Sequence, residues 1–420
     1  MKAPIINPVS SIPLQLPEIH ILENGVTLYD LRLGSQEILK IEWLFDAGRW
    51  YETKQLAARL TAQLLKSGIA KYNADELADF YDFYGAKLKI YDDFDNVCIR
   101  LYCLTKHLST LLPILSKMLL EPLFDDREIE QFCSRNKQTL KLDLQKNDVL
   151  AYRTFTELLF GSQHPYGYNS VPEFYDNIKR DDLIAHHKRC YTGNGCKIFV
   201  SGKTSDDILK LIEHYALQIP SGQENIIPEI PAFPSEVPLI FRQEAAKTSA
   251  QASLRIGCRM FDKKDPDFSS FYFVNTLLGG YFGARLMQNL REDKGYTYSI
   301  YSSMETMRHG GYFYIYTDVN SDIKEAALAE IYHELKRLQE EPVGEEEMSM
   351  LRNYSLGMFL NTVDGVFNVS SVIRELAEEG LPFDFFEEMV EKTNNITSEE
   401  VMVIANKYLN RENLCEVVVG

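Results

Sequence analysis

Asn177-Ile178, with Asp181-Asp182 behind it, returns 218 positions later as Asn395-Ile396 with Glu399-Glu400. Cys196-Lys197-Ile198-Phe199-Val200-Ser201-Gly202 returns as Cys415-Glu416-Val417-Val418-Val419-Gly420. Arg135-Asn136 returns as Arg352-Asn353, and Glu121-Pro122 as Glu341-Pro342, in the same order and at an offset that stays between about 213 and 220. One matching dipeptide carries little. A shared order at a steady offset marks an internal repeat. The chain therefore predicts a duplicated unit, and paired halves often enclose a site between them.

Composition sets the outer bounds. A chain of 420 residues is long enough for two cores, since a single core stops growing near roughly 250–300 residues. No stretch approaches the roughly 18 uninterrupted apolar residues that a membrane span needs. Met1-Lys2-Ala3-Pro4 is followed by no apolar core segment, so no secretory signal is expected and the expected compartment is the cytoplasm. The seven cysteines have no Cys-x-x-Cys spacing and read as reduced core thiols. A net charge of −17 argues against nucleic acid and anionic membranes as partners. It fits a solvated acidic surface or, more sharply, an acidic inner cavity that favours basic peptides.

The elements follow from periodicity. Residues 26–33 and 39–45 read as strands joined through Gly34-Ser35; Leu56, Leu60 and Leu64 then recur at helical spacing. A second helix over 74–83 and a hairpin of 87–91 with 97–104 precede helices over 108–120, 126–144, 148–160 and 181–190. Strand 197–200 and helix 205–217 close the first unit. Pro220, Pro228, Pro231, Pro234 and Pro238 fall within 19 residues that show neither period. They mark a linker, 219–239, between a first domain, 1–218, and a second, 240–420. The second unit repeats the order: strand 253–260, helix 268–278, a glycine-rich bend at 279–283, helix 285–292 and a hairpin of 298–301 with 312–317. Helices over 323–338, 345–360, 367–379 and 398–409 and a terminal strand follow. The expected class is α+β: two homologous domains, each a largely antiparallel sheet with helices packed on one face, enclosing a chamber.

Leu22-Glu23-Asn24-Gly25-Val26, then Phe45-Asp46-Ala47-Gly48-Arg49-Trp50-Tyr51-Glu52, then His164-Pro165-Tyr166-Gly167 stand in that order. Gly279-Gly280, Arg285-Leu286, Leu290-Arg291-Glu292 and Gly295-Tyr296-Thr297-Tyr298 continue the series. Together they resemble, along nearly the whole chain, the pitrilysin/insulinase family of zinc peptidases, in the branch of mitochondrial processing peptidase and its bacterial relatives. The resemblance implies two α+β domains facing each other across a peptide-holding chamber.

Active members bind zinc through His-x-x-Glu-His on the helix after the Ala-Gly segment, with a distant glutamate as a further ligand. Residues four apart share a helix face, so two imidazoles can hold one ion while the glutamate between them activates the bound water. Here Ala58, Thr61 and Ala62 occupy those three positions, and residues 131–142, where the distant glutamate is expected, contain no carboxylate. The pattern predicts no metal and no catalytic residue in this chain, with zinc in a partner subunit. His186-His187 are adjacent and diverge on a helix; His107, His214 and His333 are solitary, and His164 is expected to cap or pack. There is no Gly-x-Ser-x-Gly.

Arg291 and Tyr298 keep the spacing at which active members carry an arginine and a tyrosine for substrate binding. A guanidinium and a phenol can hold a peptide carbonyl or a developing oxyanion; the plainer alternative is that Arg291 pairs with Glu292 or Asp293 and Tyr298 packs in the sheet. Tyr296, Tyr298, Tyr301, Tyr312, Tyr314 and Tyr316 form an alternating ladder that packing mostly explains. The resulting expectation is a non-catalytic, substrate-binding subunit of a two-chain zinc peptidase. Its partner would be a family member with an intact His-x-x-Glu-His, and its substrates peptides, with no nucleic acid and no membrane. The alternative is an inert scaffold of the same fold with no role in proteolysis.

Overall fold

The computed structural model describes residues 9–222, 229–234, 237, 240–244 and 250–420. In the first half, strands β1 (Glu18–Ile21), β2 (Thr27–Arg32) and β3 (Ile38–Phe45) lead into helix α1 (Ala57–Leu64). The short pair β4 (Gly68–Ile69) and β5 (Tyr72–Asn73), helix α2 (Ala74–Phe83) and strands β6 (Lys87–Asp92) and β7 (Val97–Leu104) follow. Then come α3 (Leu108–Leu120), α4 (Asp126–Asp143), α5 (Asn147–Phe160), α6 (Pro172–Asn177), α7 (Arg180–Cys190), β8 (Cys196–Gly202) and α8 (Asp206–Ala216). The second half runs β9 (Ile240–Gln243), β10 (Gln251–Met260), α9 (Phe268–Asn275), β11 (Ile300–Met307) and β12 (Gly310–Asn320). It ends in α10 (Lys324–Glu340), α11 (Glu345–Thr362), α12 (Val366–Glu379), α13 (Phe385–Asn395), α14 (Ser398–Tyr408) and β13 (Cys415–Val419).

Two sheets result, ordered β1-β2-β8-β3-β7-β6 and β11-β12-β10-β13-β9. Both are antiparallel except where β8 runs beside β2 and β13 beside β9. The repeated dipeptides fall at matching places. Glu121 and Glu341 close α3 and α10, and Asn177 and Asn395 end α6 and α13. The fold is therefore the expected α+β pair. Part of the expected linker, residues 223–228, 235–236 and 238–239, lies outside the described residues. No single helix among the described residues is long and apolar enough to cross a membrane.

Two expectations need correction. Strands β2 and β3 do not pair through Gly34-Ser35: β8 lies between them, parallel to β2 and antiparallel to β3. Gly34 passes directly over the end of β8, where a Cβ would sit 2.5 Å from the Gly202 carbonyl carbon, so glycine is needed for that crossing. Nor does each sheet carry helices on one face alone. Leu39, Ile41, Trp43 and Phe45 of β3 point into the first domain's own core, whereas Lys40, Glu42 and Leu44 point the other way, against α12 of the second domain.

The exchange is reciprocal. Helix α5 of the first domain packs on β10 and β13 of the second, with Phe155 and Phe160 edge-on to Tyr312. Tyr152 of α5 lies 5.1 Å from the Arg255 guanidinium, which Tyr314 and Tyr316 flank from β12. On the other side the seal is ionic. Lys40 and Glu42 are both 0% exposed, 2.8 Å apart, and Glu42 also meets Arg100 at 2.7 Å and Arg374 of α12 at 3.4 Å. Lys40 donates to the Phe367 carbonyl and the Ser371 hydroxyl, both at 2.9 Å. Burial still holds its ammonium below the usual lysine range. Each domain thus completes the other.

Candidate functional site

Helix α1 begins at Ala57, after Leu56 in a left-handed conformation with φ of 71°. Leu56 offers no capping side chain, so the orphan amides of the first turn depend on a distant acceptor. Glu52 supplies it: its Oε2 accepts from the Ala58 amide at 3.1 Å, and its Oε1 accepts from the Tyr168 hydroxyl. Burial pushes the Glu52 carboxyl up to about 7 in spite of these donors and of Arg49. The Arg49 guanidinium lies over the rings of Tyr168 and Phe94, at 4.4 and 5.0 Å. Glu52 belongs to the sequence signature quoted above, but its capping role was not read from it.

Ala58, Thr61 and Ala62 are all buried on this helix. The Thr61 hydroxyl donates to the Leu183 carbonyl at 3.4 Å, and α7 packs along α1. Ala58 borders a cavity of about 200 Å³ walled by Arg49, Glu52, Asp93, Phe94 and Tyr168. Among the described residues, no three His, Cys, Asp or Glu side chains are placed to hold a metal ion. On α4, Gln138 and Lys141 are exposed and carry no ligand for the α1 face.

The histidines serve packing. His186 Nε2 bonds the Ala47 carbonyl at 2.9 Å, while His187 Nε2 bonds the Leu119 carbonyl at 2.7 Å, so the adjacent pair diverges. Burial lowers His186 to about 4. His164 is buried, stacks on Phe160 at 5.6 Å and accepts from the Tyr166 amide at 3.1 Å. The seven cysteines are all free.

Arg291 and Tyr298 come together in the second domain. Arg291 sits in a wide-wound π turn over Met287–Asp293, a second such turn covers Thr276–Gly280, and windings of this type recur at functional sites. Gly279, expected in a bend, belongs to the earlier turn. A Cβ there would meet the Ser302 amide of β11 at 2.5 Å, so the residue allows a close helix–strand approach. Tyr298 lies before β11, outside the sheet, and is 85% exposed. Its ring stands 5.0 Å from the Arg291 guanidinium, and that of Phe282 stands 4.9 Å away. Phe282 is 58% exposed. Arg291 also meets the exposed Glu292 at 3.4 Å. Phe282 escaped the sequence reading; an aromatic residue in the middle of the glycine bend was its only signal.

The turn between β11 and β12 reaches into the first domain. Arg308 donates to Asp46 at 2.9 Å, Tyr51 at 3.0 Å and Asn96 at 2.9 Å, while its amide donates to Asp95. His309 stacks on Trp50 at 4.1 Å. Beside this latch lies an inter-domain cavity of about 450 Å³ whose walls carry Asp93, Asp95, Glu305, Glu375, Glu378 and Glu379. Burial raises the carboxyls of Asp93, Glu378 and Glu379, although Arg374 and Lys263 neighbour the two glutamates.

Residues 35–155 match the model of the insulinase family, peptidase family M16, and residues 177–355 match its inactive domain. The chain belongs to the pitrilysin/insulinase family. Among M16 relatives, the Bacillus subtilis uncharacterized zinc protease YmxG is 22% identical and aligns over 82% of each chain. The Helicobacter pylori non-peptidase homolog YmxG is 24% identical over 93% of this chain and 88% of its own. A crystal structure of a peptidase M16 inactive domain from Pseudomonas fluorescens superposes with a TM-score of 0.88 at 21% identity, over 96% and 97% of the two chains. A protease structure from Helicobacter pylori gives 0.85 at 15% identity, over 96% and 100%. These likenesses establish the two-domain M16 fold; the chain is an M16 member whose α1 contains no histidine, cysteine or carboxylate.

Proposed function

We propose that this M16 chain is the non-catalytic, substrate-binding subunit of a two-chain zinc peptidase, whose other chain supplies zinc and the general base. The observation that carries the reading is the contrast between an α1 without histidine or carboxylate and the exposed rings that flank Arg291. Helix α1 carries no histidine, cysteine or carboxylate to hold zinc or take a proton, whereas Arg291 is clamped between two exposed rings. Helix exchange adds support. The two domains cover each other's sheets, and in this reading the peptide chamber lies between this chain and a second one facing it.

Peptide would be held extended. Strand β6 is an edge of the first sheet and runs beside α1, with Gln63 of α1 bonded to Asp92 at its end. Strand β11 is the matching edge of the second sheet and starts beside Tyr298. An extended peptide can add to either edge through its backbone. A Helicobacter relative called a non-peptidase homolog and a Pseudomonas structure called an inactive domain are in keeping with this role.

The test is co-purification followed by reconstitution. The chain should recover a relative with an intact His-x-x-Glu-His, and the mixture should cleave peptides that the chain alone leaves whole. Arg291→Ala should lower turnover of the mixture by roughly tenfold or more while leaving complex formation unchanged. Recovery of a complex without any such relative would favour the inert scaffold.

A further inference from the structure

A cavity of about 510 Å³ lies between α2, the start of β6, the turn after α1 and Met118 of α3. Helix α2 is fixed there by a capping box: the Glu76 amide donates to Asn73 Oδ1 at 3.0 Å, and the Asn73 amide to Glu76 Oε2 at 2.9 Å. The helix buries only Leu77 and Tyr81, one turn apart. These two, with Ala86, Leu88 and Met118, form an apolar floor of a size that usually takes a small ligand, roughly 300–1,000 Å³.

The floor is closed to its one buried hydroxyl, and the polar groups stand at the rim. Tyr81 is 4% exposed, yet its hydroxyl has no hydrogen-bond partner. A buried donor left without an acceptor is costly, and burial also raises its pKa. At the mouth, Lys66 and Lys87 are exposed and enter no ion pair among the described residues, against one lining carboxylate, Asp82. The chain as a whole is strongly acidic, so two free lysines over an apolar hole stand out from its surface.

We propose that this cavity binds a carboxylate with an apolar tail. The tail lies on Leu77, Leu88 and Met118, and the carboxylate sits between Lys66 and Lys87. A medium-chain fatty acid and the apolar C-terminus of a peptide share this chemistry. Nothing in it depends on the site at Arg291.

The test is calorimetric titration of the full chain with decanoate below micellar concentration, with decanol and decylammonium as controls. A leucine-ended pentapeptide, as free acid and as amide, separates the two sources. Decanoate or the free-acid peptide should bind saturably, and the controls more weakly. Lys66→Ala with Lys87→Ala should cost roughly fivefold in affinity. Ala78→Trp places a ring over the mouth from the exposed side of α2; it should abolish binding and leave the thermal transition in place. Failure of both acids to bind, or equal binding to the Ala78→Trp chain, would overturn the proposal.

Discussion

Helix α1 and the neighbourhood of Arg291 have been treated by the fold in opposite ways. On α1, Ala58, Thr61 and Ala62 are 3%, 0% and 0% exposed, and α7 packs along the helix. Around Arg291, which is itself half-buried, two aromatic rings stay in the open, with Tyr298 85% exposed. A lost polar site can be filled cheaply with small apolar side chains, because nothing buried is then left unpaired. Bare rings around a charge gain little stability from staying where they are, so their exposure points to a use outside the chain.

The sharpest way to break this contrast is to put charge back on α1. Thr61→Glu places a carboxylate in a fully buried position and should cost about 4 kcal/mol, read as a fall in urea midpoint. Near-neutral behaviour would mean that α1 is open after all. Next is the latch. Arg308→Ala removes the guanidinium that Asp46, Tyr51 and Asn96 share and should cost about 3 kcal/mol, by the same measurement. A third prediction concerns Glu52, whose folded carboxyl is raised to about 7. Its stabilising contribution is complete below the ordinary carboxyl range and is lost as pH rises through about 7. Relative to Glu52→Gln, the parent chain should therefore weaken between pH 5 and pH 8 by on the order of 2 kcal/mol. The smallest effect belongs to the other region: Arg291→Ala and Tyr298→Ala should each shift stability by less than about 0.5 kcal/mol.

The sequence disclosed the duplication and the element order well, because repeated dipeptides and apolar periods are local signals. It concealed the parts that depend on distant chain. Strand β8 enters between β2 and β3 from about 160 residues away in the sequence, and no local pattern announces that. In β3, Lys40 and Glu42 alternate with Leu39, Ile41 and Trp43 like an ordinary solvent-facing side. They are buried because α12 arrives from the other domain. The apolar faces of α5 and α12 are plain in the sequence, but not which sheet each covers. That Ala58, Thr61 and Ala62 are neither histidine nor carboxylate is read directly, one residue at a time. Phe282 was not, since its importance lies in a ring standing over Arg291 from nine positions away.

The most direct measurement pairs metal analysis with peptide hydrolysis for the chain alone and after mixing with a zinc-binding relative. Substoichiometric zinc and no cleavage alone, with Arg291-dependent cleavage in the mixture, is the predicted result. One tightly bound zinc per chain, with chelator-sensitive cleavage by the isolated chain, would contradict it.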